Sequence, residues 1–451
     1  MEENFFENEL AQRFEQMIED QQEYYFDTEE LEEIIIYYLE IGDISFAEMA
    51  VKYALQIHPQ SLEIKIKSLE VLLELNNYQE AKKIIQELRD FHIESVDFLV
   101  CCAKYYSNLG NPKRSIEYCK KALEYEEEEN FLNNFIADEY VNLDEPFLAL
   151  KYYKEALNAD PFDDYSLENI MGCYAKLKKP EEALAFINSY LDEYPYSEVA
   201  WFEYGQFFFN RKNYQEAIRG FDYLLAINPM VMSAYSHKAA CYEALRDYQN
   251  AIQVYQEILQ MEYTKAYTYY RIGLCYKEMG DNIQALHSLQ KSLVEDPQFY
   301  LSMMEISYIY EGLGDKEKAL KYAEEATSYN DTNLDYHKRL AFLYIDSGRV
   351  YKSLDCLKKI TTEEPDRFYN WYAYTEALML LQEYEDAVQV LNMALQHHRR
   401  AELYYQLSNA YFNLGEKDRA KEVLSIALVL DPYLLEDMQQ KYPFIKDEMK
   451  K

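Results

Sequence analysis

Residues 198–231 read EVAWFEYGQFFFNRKNYQEAIRGFDYLLAINPMV, and residues 266–299 read AYTYYRIGLCYKEMGDNIQALHSLQKSLVEDPQF. Aligned, they share a ring at position 4 (Trp201, Tyr269), Gly at 8 (Gly205, Gly273), an aromatic at 11 (Phe208, Tyr276), Ala at 20 (Ala217, Ala285) and Pro at 32 (Pro229, Pro297). The same marks recur outward in both directions. Small residues stand at Ala47, Ala81, Ser115, Ala149, Ala183, Ala217, Ala251, Ala285, Ala319, Ser353 and Ala387, each 34 residues after the last, with Ala420 following after 33. Nine residues before each lies a large residue, from Tyr38, Leu72 and Tyr106 to Leu378 and Tyr411. Prolines recur at Pro59, Pro161, Pro195, Pro229, Pro297, Pro365 and Pro432, and glycines at Gly42, Gly110, Gly280, Gly314, Gly348 and Gly415. Four residue classes held in phase over about 400 residues define a tandem repeat, and a repeat must be recognised before domains are counted.

Each mark has a physical role. The glycine, or Asn76 and Asp144 in its place, takes the left-handed conformation that ends a first helix. Pro112, Pro146 and Pro180 fall two residues later, at the start of a second helix, where no amide donor is needed. The small residue lets the two helices of a pair approach closely, and the late proline ends the second helix. One pair cannot bury its own apolar face, so neighbours must stack.

These residues resemble the tetratricopeptide repeat family: Trp201, Tyr204, Gly205, Phe208, Ala217, Phe221 and Pro229 follow its spacing, as do Tyr269, Ile272, Gly273, Tyr276, Ala285, Leu289 and Pro297. The resemblance covers residues 28–432 as about twelve units and is weakest in the second, at Ser68 and Leu72. It implies an all-α fold, a right-handed α-α superhelix with a concave inner groove, and a role in protein interaction. Trp201 and Trp371 share one register and read as core anchors. Residues 1–27 carry nine acidic residues and one Arg, with Phe5, Phe6, Leu10, Phe14 and Ile18 at near-helical spacing; they read as a capping helix or an acidic arm. Residues 433–451 read as a C-terminal capping helix with Leu434, Leu435 and Met438 on one face and Lys450 and Lys451 at its end.

Composition limits function. The formal net charge of −36 opposes binding to nucleic acid and to anionic membranes. No stretch reaches the roughly 18 apolar residues of a spanning helix, and residues 1–7 lack the pattern of a secretory signal. Only 11 Gly and 11 Pro occur, while the 47 Tyr supply amphipathic rings suited to half-buried positions. Of seven Cys, Cys173, Cys241 and Cys275 are separated by multiples of 34, as core residues in one register would be. A reducing, cytoplasmic setting is consistent.

No catalytic, metal or cofactor constellation emerges, and an enzyme is not expected. Gly312 and Gly314 mark a turn, not a phosphate loop. His58, His92, His237, His287, His337, His397 and His398 include no i, i+4 pair and read as surface or turn residues. The run Glu126–Glu129 reads as a solvated junction without the patterned glycine of a calcium loop.

Within each first helix, positions 4, 7, 8 and 11 form the packed stripe, and positions 2, 5, 9, 12 and 13 lie roughly opposite. By the family resemblance, this second stripe lines the groove. It begins acidic, with Glu29, Glu32, Glu40, Glu63, Glu70, Glu74 and Asp97. From the sixth unit it reads Phe202, Phe209, Tyr267, Tyr270, Met304, Tyr308, Phe342, Tyr369, Tyr372, Met379, Tyr405 and Phe412. Exposed aromatics in a channel mark a partner site, and Tyr offers rigid area at low entropic cost. The alternative is that these rings only complete inter-repeat packing. The expected partner is a protein or peptide with apolar anchors and a basic stretch; self-association through the strip is a further option, as is assembly into a larger complex through the acidic flank or convex face. Family members that clamp a carboxylate terminus pair Lys at position 5 with Asn at position 9. Here Lys338 is followed by Phe342, and Asn409 is preceded by Tyr405, so that mode is not expected.

Overall fold

The computed structural model describes residues 9–21, 23–91, 95–125, 129–261 and 265–445. Phe5, Phe6, His92, Glu126, Glu127, Glu128, Lys450 and Lys451, singled out above, lie outside the described residues. Among the described residues there is no strand. Twelve helix pairs follow one another; first helices begin at Thr28, Leu62, Val96, Glu129, Asp164, Glu198, Met232, Lys265, Tyr300, Leu334, Phe368 and Ala401. Second helices begin at Ile44, Tyr78, Pro112, Pro146, Pro180, Tyr214, Tyr248, Asn282, Lys316, Val350, Tyr384 and Lys417.

The turn inside every pair turns on one residue of positive φ. A left-handed residue stands at Gly42, Asn76, Gly110, Asp144, Lys178, Lys212, Arg246, Gly280, Gly314, Gly348, Gln382 and Gly415. Around Gly110, the Gly110 amide donates to the Ser107 carbonyl at 2.8 Å and the Asn111 amide to the Tyr106 carbonyl at 2.9 Å. This two-bond closure satisfies the last carbonyls of the first helix. Asn111 then caps the second helix, its side chain accepting from the Arg114 amide at 3.4 Å. One residue thus ends one helix and starts the next.

The period-marking small residues are all buried, none more than 3% exposed. Close approach also explains position 8 of the sixth repeat: a Cβ on Gly205 would meet Phe221 Cε1 at 2.5 Å. Phe221 is itself fully buried, so neither partner can retreat. Trp371 is a buried anchor, as read from its register, and its Nε1 donates to the Pro365 carbonyl at 2.8 Å. Trp201 is half-buried and makes the equivalent bond to the Pro195 carbonyl at 2.9 Å, stacked on Tyr223. The seven cysteines are free and buried.

The chain forms two compact bodies, Met1–Pro229 and Met230–Lys451. In the first, the helix Glu9–Asp20 packs Phe14 and Met17 into the core of repeat 1, and a capping box between Asp27 and Glu30 starts the array. In the second, the short helix Leu435–Lys441 follows repeat 12. First helices of successive repeats touch within each body, as between repeats 1, 2 and 3 and between repeats 8 and 9. One expectation needs correction. His337 is buried, 6% exposed, because its Nε2 bonds the Asp331 carbonyl at 2.8 Å inside the turn between repeats.

Candidate functional site

In the first body, three of the seven acidic residues, Glu40, Glu70 and Glu74, line a cavity of about 610 Å³ together with Lys67, Lys104 and the apolar Ile36, Leu39, Ile44 and Leu73. Lys67 sits at position 6 of its helix, next to the stripe, and its ammonium reaches Glu70 at 3.1 Å. Burial lowers the Lys67 pKa, but Glu70, Asp97 and Glu32 outweigh burial and hold it above its usual value. Burial pushes the Glu32 carboxyl up, against the pull of Lys67. Glu29, Glu63, Glu74 and Asp97 remain exposed. The flank therefore consists of exposed carboxylates around a buried lysine, not an unbroken negative surface. Phe202 and Phe209 also belong to this body, half-buried against Phe221 and Tyr214 respectively.

In the second body, the expected strip divides into three classes. Tyr267, Tyr308, Phe342 and Tyr369 are exposed, by 45%, 42%, 56% and 76%. Tyr270, Tyr372, Met379 and Phe412 are half-buried. Met304 and Tyr405 must be removed from the open strip. Met304 is 3% exposed because it packs with Met303 and Ala326 under Tyr300, Tyr322 and Tyr336. Tyr405 is fully buried among Met438, Tyr442, Phe444 and Ile445.

Two of the exposed rings, Tyr267 and Tyr308, are held by cations absent from the sequence reading. Tyr308, at position 9 of repeat 9, has the Arg339 guanidinium 3.5 Å and the Lys277 ammonium 5.3 Å from its ring centroid. Arg339 also bonds Glu311 at 3.0 Å and the Ser307 hydroxyl at 3.0 Å. Lys277 pairs with Glu305 at 2.6 Å. Arg271 pairs with Glu243 and bonds the Tyr267 hydroxyl at 3.0 Å. Burial, with Tyr300, Tyr270, Glu305 and Tyr308 nearby, pushes the Tyr336 phenol up to about 12; it stays a neutral donor at any physiological pH.

These pairs follow a rule. Glu243–Arg271, Lys277–Glu305 and Glu311–Arg339 each span 28 residues, joining position 12 of one first helix to position 6 of the next. At 100° per residue position 12 lies on one edge of the stripe and position 6 just beyond the other, so each pair bridges adjacent first helices at their junction. The polarity alternates from junction to junction. The surface of repeats 8–10 thus sets the Tyr267 and Tyr308 rings beside bridging ion pairs, where it can receive apolar side chains and hydrogen-bond donors. Among the described residues, no group of His, Cys, Asp or Glu could hold a metal ion, and no helix is long and apolar enough to cross a membrane.

With this geometry in view, comparison with known proteins is direct. The tetratricopeptide repeat profile matches residues 173–411, more than half of the chain, and related profiles of the same repeat match 103–129, 136–198 and 401–433. The chain belongs to the tetratricopeptide repeat family, whose members generally act as non-catalytic scaffolds for protein interaction. No curated protein matches it significantly in sequence. Similar solved structures include a chain of the APC/C hetero-tetramer Cut9–Hcn1, at 15% identity and TM-score 0.33, covering 89% of this chain and 92% of that one. A tetratricopeptide repeat protein from Parabacteroides merdae is 20% identical, with TM-score 0.35, covering 56% of this chain and 99% of its own. The C-terminal part of a repeat protein from Cytophaga hutchinsonii is 18% identical, with TM-score 0.42 and coverages of 51% and 96%.

Proposed function

We propose that the protein is a non-catalytic scaffold that holds a polypeptide segment against the first-helix face of repeats 8–10. The observation that carries this reading is Tyr308, which is 42% exposed yet fixed between Arg339 and Lys277. An exposed ring that is already immobile loses little entropy when a partner covers it. Phe342 and Tyr267 extend the same face with further exposed apolar area. The segment that fits has apolar or aromatic anchors. Seven buried, free cysteines support placing this scaffold in the cytoplasm.

The test compares capture of partner polypeptides from the source cell by the wild type and by a Tyr270→Ala, Tyr308→Ala, Phe342→Ala variant, with circular dichroism confirming that both are folded. A partner retained by the wild type and lost by the variant supports the reading; equal retention refutes it. A second reading, assembly through the acidic flank, is favoured by the 610 Å³ cavity of repeats 1–3. In that case charge reversal at Glu32, Glu63 and Glu70 abolishes capture, salt weakens it steeply, and the aromatic variant is silent.

A further inference from the structure

After repeat 12 the short helix Leu435–Lys441 and the residues behind it pack on that repeat, where Met438, Tyr442, Phe444 and Ile445 share a core with Ala401, Tyr405, Leu424 and Ala427. The segment Leu435–Ile445 crosses the first-helix face of repeat 12 and reaches repeat 11. Lys441 Nζ meets Glu376 at 2.6 Å and the Tyr372 hydroxyl at 2.7 Å. The Tyr442 hydroxyl donates to Glu376 at 2.7 Å. Gln406 Nε2 donates to the same carboxylate at 2.6 Å, setting its orientation. The Phe444 ring stacks on Phe412, with centroids 4.4 Å apart and planes 18° from parallel. Tyr442, Phe444 and Ile445 are 6%, 8% and 0% exposed.

The positions used are those expected of a partner surface. Tyr372 and Tyr405 stand at position 5 of repeats 11 and 12, Glu376 at position 9 and Phe412 at position 12. A further helix pair added in register would set its first helix beside repeat 12. This segment packs on repeat 12 and also contacts residues 66 and 69 positions earlier in the chain, in repeat 11, as an occupant lying across two first helices does. The contacts are chemically selective. Glu376 requires a cation and a hydroxyl donor, Phe412 a stacking ring, and the fully covered Ile445 a branched aliphatic.

We propose that the first-helix face of repeats 11 and 12 is a recognition site for a polypeptide segment patterned as cation, Tyr, any residue, aromatic, aliphatic. Residues 441–445 fill it in this structure, and a partner segment of that pattern takes their place. The site deepens the scaffold reading but uses none of the residues of repeats 8–10. Occupancy in cis lowers the apparent affinity for a partner by the fraction of time the site is open.

The probe is a fluorescent synthetic peptide of residues 435–445, followed by anisotropy with the full chain. A Lys441→Glu, Phe444→Asp variant, checked for folding by circular dichroism, is expected to bind the peptide at least about 10-fold more tightly than the wild type. Adding Glu376→Lys abolishes that binding, and adding Tyr308→Ala leaves it unchanged. In the wild type, excess peptide is expected to speed hydrogen exchange of the amides in 436–445, a readout that does not depend on any variant folding. Equal binding by wild type and opened variant, binding that survives Glu376→Lys, or exchange unaffected by peptide would each overturn the proposal. A wild-type dimer dissolved by the peptide assigns the site to a second copy and overturns it too. Loss of partner capture in the repeat 8–10 variant is independent of all these results, so the two readings fail separately.

Discussion

The Arg339 guanidinium stands 3.5 Å from the centroid of the Tyr308 ring while its two terminal nitrogens bond Glu311 and Ser307. A side chain from repeat 10 thereby fixes a ring of repeat 9 and closes the junction between them. The Arg339 side chain is 8% exposed and that of Glu311 34%, so the pair is half desolvated. Arg339→Ala is expected to destabilise the second body by about 2–3 kcal/mol, since it leaves Glu311 without its cation and removes the packing on Tyr308. Arg339→Lys should recover only part, because an ammonium cannot form the planar fork. Urea denaturation of the three proteins measures the order.

The alternating pairs predict rescue by exchange. Arg271→Glu places two carboxylates at the Glu243 junction, and Glu243→Arg places two guanidinium groups there. Each is expected to cost about 2 kcal/mol, and the double exchange should restore at least half of the summed loss. A double-mutant cycle in urea gives the coupling energy. Simple addition of the two losses would show that the junction is held by packing alone.

The intra-pair turns offer a contrast between glycine and longer residues. Gln382 adopts φ of 59°, the conformation for which Gly348 has φ of 74°. The left-handed region penalises a Cβ by about 1–2 kcal/mol, offset in part by the larger unfolded-state freedom of glycine. Gln382→Gly should therefore raise stability by about 0.5–1 kcal/mol and Gly348→Ala lower it by about 1 kcal/mol. Thermal unfolding midpoints would move in opposite directions.

Much of this was legible beforehand because period, turn and helix spacing are local properties repeated many times. Asn76 and Asp144 were recognisable as glycine substitutes, since short polar side chains tolerate positive φ. Lys178, Lys212, Arg246 and Gln382 take the same conformation, yet nothing in their side chains announces it; the surrounding array imposes it. The strip of Tyr267, Tyr308, Phe342 and Tyr369 was readable from helical phase, and their exposure agrees. Met304 and Tyr405 share that phase but are buried, one by neighbouring methionines and rings and the other by residues 435–445. The cations were missed for a different reason. Arg271, Lys277 and Arg339 pair with residues 28 positions away, so they look like ordinary surface charges until adjacent repeats are set side by side.

Position 6 of repeat 6 carries Glu203, which has no such bridging cation. Burial, with a smaller contribution from Glu168, raises its pKa from 4.5 to about 7. The folded state therefore holds a proton that the unfolded state has released once the pH exceeds 4.5. The stability linked to this group is full below that value and is lost as pH rises through about 7. Glu203 retains partial exposure, which limits the effect to about 1–2 kcal/mol. Glu203→Gln is expected to flatten the decline in stability of the first body between pH 5 and pH 8, measured by urea titration at each pH; an unchanged slope would assign the decline to other groups.

The most direct test of the scaffold reading places a photocrosslinking benzoylphenylalanine at Phe342 in one protein and at Tyr351 in another, each expressed in the source cell. Phe342 is 56% exposed on the first helix of repeat 10, and Tyr351 is 76% exposed on the second helix of the same repeat. The account predicts that irradiation joins a partner polypeptide to position 342 and none to position 351. Crosslinking from position 351 with none from position 342 would contradict it.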